Sequence, residues 1–148
     1  MTNFTILDQA ANYVFSQLDE VDNHLDSLPH PIRTFLTVYL AQTAIEVGGL
    51  EYFFTSDFPE NPPYRQFINA YSEIGALATA EVLEKSLRFF AFDSPETKPD
   101  LRREFIESLP DDASHAFSIM SIQLREDESA WDYLGEYAQK HRDVFELP

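Results

Sequence analysis

The chain has 148 residues with 26 acidic side chains against 10 basic ones, and its formal charge of −16 repels other polyanions, nucleic acid and anionic lipid alike. A 44% hydrophobic content that includes 13 Phe and 7 Tyr supplies a core that a disordered acidic tail lacks, and the length suits one domain. The absence of Cys excludes disulfides, iron–sulfur clusters, thiol catalysis and Cys-ligated zinc.

Thr5 is a plausible N-cap of a first helix, with Asp8 as a weak capping-box partner. Leu7, Ala11, Val14, Leu18, Val21 and Leu25 recur at steps of four and three, so one helix is expected through residue 25. Leu28-Pro29-His30-Pro31 stops it and starts a second helix, with Pro31 in the first turn and His30 as a simple cap. Ile32, Phe35, Leu36, Tyr39, Leu40 and Val47 form the inward stripe of that second helix. Val38, Ala41, Ala44 and Ile45 lie off the stripe, which predicts burial nearly all round. Gly48-Gly49 ends or kinks it, and Leu50, Phe53 and Phe54 continue as a short helix. Three prolines between Pro59 and Pro63 require a loop. Phe67, Ile68, Tyr71 and Ile74 carry the next helix to a break at Gly75, after which Leu83, Leu87 and Phe90 continue, with Ala76, Ala78 and Ala80 admitting a close neighbour. Asp93–Lys98 reads as a polar turn. Pro99 opens a helix bearing Leu101, Phe105, Ile106 and Leu109. Asp111 or Asp112 is expected to cap a segment with Phe117, Met120 and Leu124, and a last helix from about Glu128 turns Trp131, Leu134, Tyr137 and Ala138 inward. No strand alternation or hairpin turn occurs. The expectation is an all-α fold, a single compact domain over 1–148 of roughly six to eight helices, with 1–30 as an N-terminal helical segment.

Catalytic chemistry finds no purchase. His24, His30, His115 and His141 include no i,i+4 pair, so a zincin-type metal site is not expected and each reads as a surface or cap residue. There is no G-x-S-x-G elbow, the glycine pair lacks the Lys-Ser/Thr of a P-loop, and no segment matches an EF-hand. A non-enzymatic chain with no cofactor and no metal is expected. No apolar run approaches the roughly 20 residues that span a bilayer, and the N-terminus lacks a basic region followed by an apolar stretch. A cytoplasmic protein without a membrane partner is the corresponding expectation.

The negative charge runs through the whole chain. Residues 1–64 hold nine acids and one base, Arg33, and the remainder holds seventeen acids and nine bases. Three groups of carboxylates recur at helical spacing: Asp19, Asp22 and Asp26; Glu104, Glu107 and Asp111; Glu128, Asp132 and Glu136. Like charges one turn apart cost a helix a few tenths of a kcal/mol per pair. Solvated faces that maintain solubility are the plain explanation. The functional one is that carboxylates about 6 Å apart imitate a line of phosphates and capture a basic protein. All nine are therefore candidate partner-binding residues.

A resemblance adds to this. Ile45-Glu46-Val47-Gly48-Gly49-Leu50-Glu51-Tyr52-Phe53-Phe54, then Ile74-Gly75-Ala76 and Val82-Leu83-Glu84-Lys85-Ser86-Leu87, resemble the DNA-mimic protein family, an all-helical domain of otherwise unknown function. Trp131-Asp132-Tyr133-Leu134-Gly135-Glu136-Tyr137 and Val144-Phe145 are similar to the end of that domain, so the likeness covers roughly 33–148. Glu46-Val47 stands where the family commonly carries Asn-Asn. The resemblance implies an acidic homodimer that occupies the DNA-binding surface of a basic protein, a transcription factor or nucleoid-associated protein, and blocks its access to DNA. It does not fix which acids engage.

Three functions remain open: a DNA mimic of that kind, an immunity-type inhibitor of a toxin such as a nuclease, and a small-ligand protein or enzyme with a carboxylate-lined pocket.

Overall fold

The computed structural model describes residues 3–148. Helix α1 spans Asn3–Glu20 and buries Leu7, Ala11, Val14 and Leu18 of the expected stripe, together with Ile6 and Ala10, which the stripe did not include. It already includes Asn3, so Thr5 lies inside the helix and is not its N-cap. It also stops earlier than the spacing predicts. Asp22 and Asn23 take left-handed backbone angles, φ 51° and 63°, which their short polar side chains tolerate better than most. Leu25 is buried all the same, from a 3-10 turn at Leu25–Ser27. Apolar periodicity had carried across the turn because the chain re-enters the core in register.

Helix α2, His30–Thr55, is the axis of the fold. Pro29 occupies the N-cap position, so His30 is the first helical residue and not the cap. Ile32, Phe35, Leu36, Val38, Ala41, Ala44 and Ile45 are buried, as a helix covered on every side requires. Val47 is not: it is 67% exposed, one turn beyond the exposed Thr43, where α2 meets solvent. The helix kinks at Gly48 (φ −153°, ψ 24°) and Gly49 (φ 69°, ψ −162°) and then carries Leu50, Phe53 and Phe54 into the core. Gly49 has a backbone that essentially only glycine adopts. Its Cα is also crowded, since an added Cβ would lie 2.3 Å from Ser121 Oγ. That hydroxyl accepts the Leu50 N–H at 2.9 Å and donates to Glu51 Oε2 at 2.5 Å, so it satisfies the backbone group that the kink frees.

Helices α3 (Tyr64–Ile74), α4 (Leu77–Leu87), α5 (Pro99–Ser108), α6 (Ala116–Glu126) and α7 (Ser129–Lys140) complete seven α-helices, with no strand among the described residues. Gly75, at φ 97°, forms the left-handed stop of α3. The predicted cap of α6 moves. His115 accepts the Phe117 N–H through its ring, while Asp112 turns back on Ser114 and Asp111 is solvent-exposed. Leu101, one of the apolar residues borne by the helix from Pro99, is 42% exposed.

Helix α2 packs against α1, α3, α5, α6 and α7; α1 lies on α7, and α3 on α4. One end of the core is aromatic. Phe53, Phe54, Tyr64, Phe67, Phe90, Phe105 and Phe117 meet with centroid separations of 4.6 to 6.2 Å, in tilted and edge-on geometries. At the middle of α2, Tyr71 donates to Gln42 Oε1 at 2.9 Å, and burial pushes its phenol upward. Arg102 of α5 is 2% exposed, and its guanidinium donates to the carbonyls of Phe54 (2.8 Å), Pro95 (2.7 Å) and Glu96 (3.0 Å). No helix among the described residues is long and apolar enough to cross a membrane.

A candidate protein-binding surface

The structure keeps one of the three predicted acidic stripes whole. Asp132 and Glu136 stand exposed on α7, and Glu128 occupies its N-cap position, so the three continue one another along that helix. The α1 stripe breaks. Asp19 is helical, Asp22 sits in the left-handed turn and Asp26 in the 3-10 turn, so they do not share a helix face. Glu104 and Glu107 remain exposed on α5, but Leu109 turns extended ahead of Pro110, and Asp111 leaves the helix. The cause is the same in both cases: side-chain spacing cannot register a backbone that ends.

What eight of the nine residues do share is a lack of countercharge. Of the nine only Asp26 stands against a base, Arg33, at 3.8 Å; none of the other eight forms an ion pair among the described residues. Four of the ten bases are engaged elsewhere, and Lys140, one turn beyond Glu136 on α7, forms no ion pair with it among the described residues. Arg65 pairs with Glu84, Lys85 with Glu81, Arg103 with Asp100, and Arg102 with Asp57.

The α7 acids are joined by two that single-helix spacing could not find. Asp8 of α1 and Glu46 of α2 meet Glu128 and Asp132 around an open groove of about 550 Å³ between the three helices. Sequence reading used Asp8 only as a capping partner and Glu46 only as a departure from Asn. Their convergence is tertiary, set by α1 packing on α7 beside the part of α2 that precedes the kink.

A second polar cluster ties three helices together. Glu73 of α3 accepts from the Tyr137 hydroxyl at 2.5 Å and meets His30 Nε2 at 2.6 Å. Burial alone would raise the Glu73 carboxyl, but hydrogen bonds to Tyr137, His30 and Thr34 outweigh it and hold the group below its ordinary range. Burial, then the facing Glu73 carboxylate, pushes the Tyr137 phenol up. A depressed carboxyl contributes stability that is present above its unfolded pKa and disappears as pH falls through the folded one. Glu73→Gln is therefore expected to cost about 1 kcal/mol at neutral pH, near the low end for a charged hydrogen bond because a third of the side chain meets solvent. The wild-type advantage should shrink to nothing well below the ordinary value of 4.5, as read by urea unfolding of both chains across the acid range. A difference that does not depend on pH would contradict this role for the carboxylate.

A family model described as DMP19-like protein matches residues 26–141. The chain belongs to the DMP19-like protein family. This corrects the resemblance drawn from the motifs, which pointed to the DNA-mimic protein family over roughly 33–148. The DMP19-like match starts earlier, within the 3-10 turn before α2, and ends at His141, so Val144-Phe145 lies outside it. No curated protein and no solved structure matches the chain. The DMP19-like region includes the kinked α2 and all of α7, and so three of the four carboxylates around the groove; Asp8 precedes it.

Proposed function

We propose that this DMP19-like chain is a non-catalytic, cytoplasmic binding protein that takes the place of DNA on a basic DNA-binding protein, a transcription factor or nucleoid-associated protein, and so inhibits it. The observation that carries the reading is the un-neutralised line Glu128–Asp132–Glu136 on α7, with Asp8 and Glu46 beside its first two members. Membership of the DMP19-like family is consistent with a DNA-mimic protein. A folded surface that leaves these carboxylates exposed and uncompensated bears a cost in self-repulsion that a basic partner relieves.

The test is retention of a basic protein from the host's extract on the immobilised chain. The reading expects one identifiable DNA-binding protein, released when duplex DNA is added and bound about tenfold more weakly when salt rises from roughly 50 to 200 mM. Retention that neither salt nor DNA alters would overturn it. Retention of a single nuclease whose toxicity the chain suppresses would favour the immunity-type alternative.

A further inference from the structure

The groove between α1, α2 and α7 has a floor that a phosphate imitation does not need. Tyr39 and Trp131 meet edge-on at 5.3 Å between centroids and 70° between planes, and Phe4 lines the same groove with 73% of its surface exposed. The Trp131 indole N–H donates to Glu46 Oε1 at 2.5 Å, which fixes the ring and aims one carboxylate along its edge. Asp8, Glu128 and Asp132 complete the rim, and among the described residues no base lines the groove.

Aromatic faces beneath several carboxylates suit a cation, above all a planar one. The ring quadrupole attracts positive charge, and a guanidinium stacks on an indole or phenol while its N–H groups reach carboxylate oxygens at the edge. A neutral apolar side chain would leave the carboxylates desolvated without partners, and an anion would be repelled. A solvated acidic face has no use for an exposed Phe beside a half-buried Trp and Tyr.

We propose that this groove is an arginine-anchoring site, in which the guanidinium of one arginine from a basic partner stacks on the Trp131 indole, with Tyr39 edge-on to that ring, and is held by Glu128 and Asp132. The inference rests on the reading of the acidic surface as a protein-binding one and adds the anchor residue to it. It gives that surface what charge alone lacks, a position at which one particular side chain must arrive.

Trp131 is the sole tryptophan, so intrinsic fluorescence of the intact chain reports on the groove directly. The probe is a short blocked arginine peptide, compared with the same peptide carrying citrulline, which keeps the shape and loses the charge. A saturable emission change with arginine and none with citrulline is expected. Phe4→Ala, which alters no charge, should weaken the arginine peptide about threefold, and Glu128→Gln with Asp132→Asn about fivefold. Equal responses to the two peptides would overturn the proposal. So would emission that changes with the chain's own concentration and not with peptide, because a second copy would then fill the groove. If Phe4→Ala leaves both peptide affinity and displacement of a basic protein from DNA untouched, the anchor fails and the acidic-surface reading survives. An arginine-specific signal in a chain that displaces no protein from DNA supports the anchor and overturns the reading beneath it.

Discussion

Arg102→Met is expected to destabilise the chain by about 3 kcal/mol, because the inward-turned carbonyls it serves lose charge-assisted hydrogen bonds. The guanidinium closes the second half of α2, because it accepts no bond itself and donates to Phe54, Pro95 and Glu96 carbonyls that have turned inward. Methionine fills the volume and takes this donor from the Phe54 and Glu96 carbonyls, each a loss of about 1 kcal/mol or more, while the Pro95 carbonyl keeps the Lys98 N–H. The ion pair contributes little by comparison, for Asp57 is 68% exposed and 3.4 Å away. Asp57→Asn should accordingly lower the unfolding free energy in urea titration by under about 0.5 kcal/mol. Arg102→Lys should recover only a minor part, since an ammonium cannot span the three carbonyls as the planar fork does. A lysine variant as stable as the wild type would show that charge, not geometry, holds α5 to the end of α2.

Gly49→Ala is expected to cost about 3 kcal/mol. Part is backbone strain at φ 69°, ψ −162°; the rest is displacement of the Ser121 hydroxyl, 2.3 Å from where the new Cβ must go. With that hydroxyl displaced, the Leu50 N–H and the Glu51 carboxylate lose their common partner. Ser121→Ala removes the hydrogen bonds without the strain and should cost about half as much. Urea unfolding followed by circular dichroism separates the two. An unchanged midpoint for Gly49→Ala would mean that the kink is free to straighten, and α2 with it.

Much of this architecture is legible without coordinates, and the reasons differ by element. Helix α2 is recognisable because burial on every side and a glycine pair leave marks that do not depend on neighbours. The loop at Pro59–Pro63 and the start at Pro99 follow from proline alone. Helix ends are where the reading slips. The Leu18–Leu25 spacing runs through a left-handed turn, and the same slip dissolves the Asp19, Asp22 and Asp26 stripe. His30 and His115 exchange roles for a related reason: capping depends on a backbone torsion, and a ring nitrogen can cap as well as an aspartate. The acidic line on α7 is readable because it lies within one helix and its N-cap. The groove is not, because Asp8, Tyr39, Glu46 and Trp131 come from three helices and meet only through packing.

The central claim is that exposed carboxylates on α7 occupy the place of DNA on a basic partner. Its most direct measurement uses that partner, purified and bound to labelled duplex DNA, with the chain added and free DNA followed by electrophoretic mobility. Stoichiometric release of DNA by the wild-type chain is predicted, with Glu128→Gln, Asp132→Asn and Glu136→Gln combined requiring about tenfold more protein for the same release. DNA that stays bound at saturating chain, or release that the triple variant matches, would contradict the account.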